Sequence, residues 1–286
     1  MKARLGIEYE QLKEINPGII LASISGFGQQ GPYAPRPGVD QIVQGTSGLM
    51  SITGEPGRGP MRVGIAISDT SAGMFLGQGI LLALLHREKT GEGQWVHTSL
   101  LEAMLSKIDF QGARYTMNGE IPDQQGNFHP TQVPMGVFEA SDGLVNLAAS
   151  TGKMWVSFCR ALGAEALAAK PEYANGRLRV ENREQLNRDV NEVTRKFATQ
   201  DLVTRLNEVG VPCGPIYNIK EAFEDEQAKF LEMVKPAPHH SLGDINLVRS
   251  PINLSGFPHD SRFHHAGPRA GPALGRNLAG DGIRGS

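Results

Sequence analysis

The chain has 286 residues, 28 Lys+Arg against 30 Asp+Glu, a formal net charge of −2 and 20% charged residues, so it carries neither the basic footprint of a nucleic-acid binder nor an acidic tail. With 40% hydrophobic residues it suits one large or two ordinary globular domains, no apolar run is expected to reach bilayer-spanning length, and residues 1–10 lack the apolar core of a signal peptide. Two cysteines in unrelated surroundings, Cys159 and Cys213, predict a reducing, cytoplasmic setting without a disulfide framework or a cysteine metal site.

In chain order, residues 7–15 predict a short helix stopped by Asn16-Pro17-Gly18. The nearly continuous apolar run 19–25 reads as a buried parallel strand, and a Gly- and Pro-rich loop follows to Gly38. Residues 40–53 predict a helix ending in the turn 54–60, and 70–89 a long one. Residues 94–99 alternate like a strand, and 100–117 return to helix. A polar Gly/Pro/Gln-rich stretch, 119–134, reads as a linker or active-site loop. Beyond it come a strand at 144–149, helices at 153–162, 181–198 and 201–208, and a short strand at 215–218. From His259 onward periodicity fades, and 280–286 are expected to be disordered. Alternating strand and helix indicates an α/β layer architecture.

Four segments carry the functional signal. They are Ala22-Ser23-Ile24-Ser25-Gly26-Phe27-Gly28-Gln29-Gln30-Gly31-Pro32-Tyr33; Arg36-Pro37-Gly38-Val39-Asp40-Gln41 with Gly45-Thr46-Ser47-Gly48; Gly64-Ile65-Ala66-Ile67-Ser68-Asp69-Thr70-Ser71-Ala72-Gly73 with Lys89-Thr90-Gly91-Glu92-Gly93-Gln94-Trp95-Val96 behind it; and Pro134-Met135-Gly136-Val137-Phe138 with Ser141-Asp142-Gly143. In this order and spacing they resemble the family III CoA-transferases, the group of formyl-CoA transferase and carnitine CoA-transferase. The resemblance implies a Rossmann-like large domain, a smaller α/β domain and an interlocked homodimer. It divides the chain into a CoA-binding part (1–118), a linker or active-site loop (119–134), a small domain (135–232) and a C-terminal return segment and tail (233–286). Full-length members begin with further βαβ units. This chain starts near the family's Arg-Leu/Met-Gly-Leu segment, here Arg4-Leu5-Gly6-Ile7, so the large domain is expected to be N-terminally truncated.

Asp69 is the central candidate. From the residues alone it reads as the N-cap of the long helix, since Asp, Thr and Ser cluster where a helix must satisfy free N–H groups. The resemblance makes it the nucleophile that accepts an acyl group as a mixed anhydride and then holds CoA as an aspartyl thioester. A helix N-terminus favours negative charge and offers N–H groups to an oxyanion. Gly73, Gly77 and Gly79 on that helix imply close approach of either another backbone or a ligand.

The remaining candidates follow from the resemblance, each beside a plainer alternative. Arg4 matches an arginine near the CoA phosphates, or is a solvated terminal charge. Arg36 faces CoA or a substrate carboxylate, or is a loop arginine. Asp40 matches an acidic site residue, or caps its own helix. Gly126 and His129 belong to a loop that covers the acyl intermediate in formyl-CoA transferase, or His129 is a surface histidine.

No permanently bound cofactor and no metal is implied, and acyl-CoA and a free carboxylic acid are the expected substrates. His239-His240 and His264-His265 lack carboxylate or cysteine partners at ligand spacing and read as solvated. Gly26-Phe27-Gly28-Gln29-Gln30-Gly31 matches a dinucleotide fingerprint in letters but opens no helix. Ser47 and Ser71 define no catalytic triad. Two other functions stand beside the transferase. An α-methylacyl-CoA racemase needs a second base before the acid, where this chain has Val39. An inactive piece or partner-dependent subunit would follow from the absent upstream units.

Overall fold

The computed structural model describes residues 2–264, which divide into two compact units that part after Gly214. The sequence divides instead at 118, 134 and 232. The N-terminal unit nevertheless holds two separate cores, one on each side of the 119–134 loop.

The first core grows from short elements. Helices α1 (Lys2–Leu5) and α2 (Tyr9–Ile15) precede strand β1 (Leu21–Ser25). Then come α3 (Asp40–Thr46), α4 (Leu49–Ile52), the long α5 (Ile67–Thr90), β2 (Trp95–Ser99), α6 (Leu100–Lys107) and α7 (Asp109–Asn118). β1 and β2 pair in parallel, Leu21 opposite Trp95 through Ser25 opposite Ser99. β1 is half-buried, with Ala22 and Ile24 exposed, rather than fully buried. Two helices expected to be continuous are broken: Gly48, at φ 84°, separates α3 from α4, and α6 stops before Ile108, with α7 restarting on the left-handed Asp109, at φ 50°. Left-handed residues end α-helices because the next N–H turns out of line.

α5 begins three residues earlier than predicted, at Ile67. Ala72 and Ala83 are buried on one side, and Ala72 packs with Val43, Leu100, Ala103 and Met104. Gly79 explains part of the glycine content: a Cβ there would lie 2.6 Å from Val96 Cγ1, whereas Gly73 and Gly77 face open space. By length and composition alone α5 is apolar enough to cross a bilayer, with mean hydropathy 1.2. This corrects the expectation that no apolar run is long enough. Uncharged glycines, serines and glutamine interrupt the apolar letters without lowering the average below that level, and no Asp, Glu, Lys or Arg stands between Asp69 and Arg87.

The second core lies on the antiparallel hairpin β3 (Met135–Glu139) and β4 (Leu144–Ala148); β3 is absent from the sequence prediction. Helices α8 (Gly152–Ala161), α9 (Glu165–Ala168), α10 (Gly176–Glu181), α11 (Arg183–Thr194) and α12 (Thr199–Glu208) follow, and β5 (Cys213–Pro215) completes a sheet of order β3-β4-β5. The short strand thus lies two residues before its predicted start. Arg179, 1% exposed, donates to the carbonyls of Val133, Tyr173 and Ser150, stitching α10 to the start of the hairpin. Cys159 is buried and Cys213 half-buried, and both are free.

The C-terminal unit contains α13 (Ile219–Glu224), α14 (Glu226–Phe230) and a hairpin of β6 (Val234–His239) and β7 (Gly243–Val248), none of them in the sequence prediction. Asn218 and Glu221 form a reciprocal capping box at α13. His239 and His240 belong to this hairpin rather than to a solvated tail, and His239 Nδ1 accepts the N–H groups of Ser241 and Leu242 across its turn. His264 pairs with Asp260 at 3.4 Å. Among the described residues no group of acidic, His or Cys side chains has the arrangement of a metal site. His265 and the 280–286 tail lie outside the described residues.

The tightest backbone approach in the first core is at Gly93, where a Cβ would sit 1.8 Å from the Ile19 carbonyl oxygen. Gly93→Ala is therefore expected to destabilise the N-terminal unit by about 3 kcal/mol, the upper end of overpacking costs, while Gly73→Ala, in open space, stabilises it by roughly 0.5–1 kcal/mol. Urea denaturation of both variants checks this, and similar midpoints would contradict the packing.

Candidate active site

The site is built around the first turn of α5. Ile67, Ser68 and Asp69 are its first three residues, and the N-cap position is held by Ala66, which has no capping side chain. Asp69 is therefore inside the helix and is not its cap. Its side chain is exposed, and among the described residues nothing hydrogen-bonds or ion-pairs with its carboxylate.

The missing cap comes from elsewhere in the chain. Asp40, 8% exposed, lies at the start of α3, whose own N-cap is Val39, so it does not cap its own helix. Its Oδ1 accepts from both the Ser68 N–H (2.9 Å) and the Ser68 hydroxyl (2.8 Å). Its Oδ2 accepts from Gln44 Nε2 (2.8 Å) and stands 4.0 Å from the Arg62 guanidinium. Gln44, fully buried, also donates to the Ile65 carbonyl and accepts the Val63 N–H, holding the segment that leads into α5. Burial alone would push the Asp40 carboxyl up. The bonds from Ser68, then Gln44 and the Arg62 charge, outweigh it and hold the group below the usual carboxylate range. Gln44, Ser68 and Arg62 went unnoticed in the sequence. The legible signal was an alanine at a helix start that needs a cap, with an Asp and Gln four residues apart upstream.

The loop after β1 is a closed structure. A Cβ on Gly26 would lie 2.6 Å from Gly38 Cα, so the two ends of the loop touch through glycine backbones. Ser25 Oγ accepts from the Gly28 N–H and from Gln29 Nε2. No helix follows β1 directly, consistent with rejection of the dinucleotide fingerprint. Arg36 is exposed and stacks its guanidinium on Tyr33 at 3.6 Å, with Phe27 edge-on to the tyrosine. Arg4 is exposed in α1, while its neighbour Lys2 lies over the Trp95 ring at 4.0 Å and bonds Gln29.

The 119–134 loop has no regular element. Gly126 N–H donates to the Gly54 carbonyl, and Gln124 Nε2 donates to the carbonyls of Thr53 and Gly59. Gly126 has φ 58° and abuts the Glu55 carboxylate, both of which suit glycine alone. The loop is thus tied to the turn that leads back toward Gln44 and α5. His129 is half-buried, stacked on Phe110 at 5.5 Å, and its Nδ1 accepts the N–H groups of Thr131 and Gln132. Arg183 braces the same loop through Gln125 and the Pro130 carbonyl. Burial, and then the Arg183 charge, push the imidazole below its usual value. No hydrogen bond or ion pair joins His129 to Asp69 among the described residues.

Comparisons with known proteins establish the family and the fold. The model of CoA-transferase family III matches residues 1–275. A succinate–glutarate CoA-transferase from Agrobacterium fabrum is 37% identical over 279 residues, covering 97% of this chain and 69% of the relative. A succinyl-CoA:mesaconate CoA-transferase from Haloarcula marismortui is 36% identical over 252 residues, covering 86% of this chain and 63% of the relative. The crystal structure of a CAIB/BAIF family protein from Brucella suis superposes with a TM-score of 0.78 at 32% identity, over 98% of this chain and 72% of that one. The chain belongs to CoA-transferase family III and has its α/β fold, as the four sequence segments implied. It spans about two thirds of the length of the curated relatives.

With Nδ1 occupied as an acceptor and the ring kept neutral, His129 carries its proton on Nε2. Long-range proton–nitrogen NMR is expected to show this tautomer at pH 7, with imidazolium forming only below the ordinary histidine value. Because the folded ring binds a proton less tightly than the unfolded one, this residue's effect on stability turns unfavourable as pH falls through that range. An Nδ1–H tautomer, or a titration midpoint above 7, would overturn the assignment.

Proposed function

We propose that this protein moves CoA from an acyl-CoA to a free carboxylic acid, with Asp69 as the nucleophile. The observation that carries the proposal is the unpartnered carboxylate in the first turn of α5, in a chain that matches the family along its described length. One Asp69 oxygen attacks the thioester carbonyl, and the C–S electron pair leaves on CoA thiolate, giving a mixed anhydride. The thiolate then attacks the aspartyl carbonyl and the donor acid departs as a carboxylate, leaving an aspartyl-CoA thioester. The acceptor carboxylate attacks that thioester and frees CoA thiolate again. The thiolate takes the acceptor acyl group from the new anhydride and restores Asp69. No net proton or redox change is needed. The Ile67, Ser68 and Thr70 N–H groups already have acceptors, so the Asp69 N–H is the first-turn donor available to support negative charge on the tetrahedral oxygen during each step.

Relatives that act on succinate, glutarate and mesaconate make short dicarboxylic acids the first substrates to test, with succinyl-CoA as donor. Arg36, a cation on an aromatic shelf with no carboxylate partner among the described residues, suits a substrate carboxylate or a CoA phosphate. The racemase alternative gains nothing from the structure, since Val39 cannot move a proton.

Incubation with a panel of acyl-CoAs, followed by intact-mass spectrometry and hydroxylamine trapping, is expected to give an adduct that maps to Asp69. Asp69→Ala should abolish it. Absence of any adduct in the wild-type chain would refute the nucleophile assignment for this polypeptide.

A homodimer, expected from the family, is part of the same proposal. The exposed apolar side of α5, with Met74, Leu81, Leu82 and Leu85, is the kind of surface an oligomer covers. Sedimentation equilibrium should give twice the chain mass, and a monomer at micromolar concentration would exclude it.

A further inference from the structure

We propose that Asp40 is a positioning residue: it takes over the capping of α5 so that Asp69 is left free to react. This rests on the reading of Asp69 as nucleophile, but its structural part can be tested alone. A helix that carries an acid at its third residue can use it in a capping box. A Ser, Thr or Asp at the N-cap bonds the third residue's N–H, and the acid folds back onto the N-cap N–H. Such a bond would hold one Asp69 oxygen and withdraw the carboxylate from a ligand. In α5 both halves of that device are absent. Ala66 has no side-chain acceptor, and Asp69 makes no fold-back bond among the described residues.

The first-turn demand is met instead by a buried carboxylate from α3. Asp40 holds the Ser68 N–H and the Ser68 hydroxyl with one oxygen, while Gln44 and Arg62 hold the other. Asp40 thus accepts three hydrogen bonds, two on Oδ1 and one on Oδ2. The two acids therefore divide the work at one helix end. The buried one is bonded to Ser68 and Gln44 and fixes the rotation of the first turn, and the exposed one, adjacent to Ser68, is presented without a competing bond. Asp40 is the charged group bonded to Ser68, Arg62 stands 4.0 Å from the Asp40 carboxylate, and the Glu55 carboxylate lies against Gly126.

The test compares Asp40→Asn, Ser68→Ala and the double variant Asp40→Asn/Ala66→Ser in the full chain. Three readouts are needed: amide hydrogen exchange at Ser68, the rate of carbodiimide-driven amidation of Asp69 by glycinamide, and the rate of acyl adduct formation from succinyl-CoA. Asp40→Asn, which keeps an acceptor and should fold, is expected to speed Ser68 exchange about tenfold. Adding Ala66→Ser supplies a local cap and is expected to restore Ser68 protection and the melting temperature. It also completes a capping box that recruits Asp69, so amidation and adduct formation should stay at least about fivefold below wild type. Ser68→Ala should give a smaller effect of the same sign. Unchanged Ser68 exchange in Asp40→Asn, or recovery of Asp69 reactivity together with stability in the double variant, would overturn the proposal. A wild-type chain that amidates at Asp69 yet forms no acyl adduct would refute the transferase reading while the exchange and amidation results still decide the role of Asp40.

Discussion

The first core and the candidate site depend on one buried charge. An aspartate with only 8% of its surface exposed is costly unless it is hydrogen-bonded and charge-compensated, and in Asp40 those bonds are also the fold. Its partners lie on its own helix (Gln44), on the segment before α5 (Arg62) and on α5 itself (Ser68), the last two more than twenty residues downstream of Asp40. The bonds that make the buried carboxylate tolerable are therefore the same bonds that set where α5 begins. Moving the start of α5 by one residue would leave both the Ser68 N–H and Oδ1 of Asp40 without their partners in a buried place, so the register is held from two sides.

The rest of α5 is placed by close contact rather than by charge. Ala72 and Ala83 are buried, and Gly79 lets Val96 of β2 approach to a distance that any side chain would block. At the far end Arg87 donates to the Gly18 carbonyl, and Gly93 receives the 17–19 backbone so closely that its N–H bonds the Pro17 carbonyl at 2.8 Å. The parallel pair β1 and β2 is thus clamped beside α5 at both ends. A two-stranded parallel pair has little stability of its own, so these helix contacts, and the Tyr9 hydroxyl bonded to the Gly93 carbonyl, carry much of its cohesion.

What the sequence revealed and what it concealed follow from the range of the forces involved. The strands at 21–25 and 95–99 and the body of α5 were legible because apolar runs and small residues are local signals. The breaks at Gly48 and Asp109 were not, since a single left-handed residue inside an apolar stretch leaves periodicity intact. The β6–β7 hairpin was hidden by prolines and histidines, residues that weigh against a strand: Pro236 and Pro238 stand in β6. In the site, Asp69 was visible through motif order, but its position inside the first turn was misread as the cap. The true cap comes from 28 residues upstream, beyond the reach of any local rule. Gln44 and Ser68 looked unremarkable in sequence because their significance is wholly in burial.

The two sides of α5 differ in a way that bears on chemistry. Ser68, Ser71, Ala72 and Ala83 form the buried side, locked to Asp40 at its start. Asp69, Gly73 and Gly77 recur every four residues on the other side and so share one line along the helix. No neighbour lies within 4 Å of where a Cβ on either glycine would sit. Attack on a thioester requires its carbonyl carbon to come within about 3–3.5 Å of the carboxylate oxygen, with the sulfur-bearing arm lying somewhere beside it. A side chain one turn beyond Asp69 would occupy that space, whereas glycine leaves the backbone bare. Each of these glycines weakens the helix by roughly 1 kcal/mol relative to alanine. That cost, unlike the one at Gly79, is matched by no packing contact among the described residues, and the open line beginning at Asp69 is what the proposed nucleophile requires beside it.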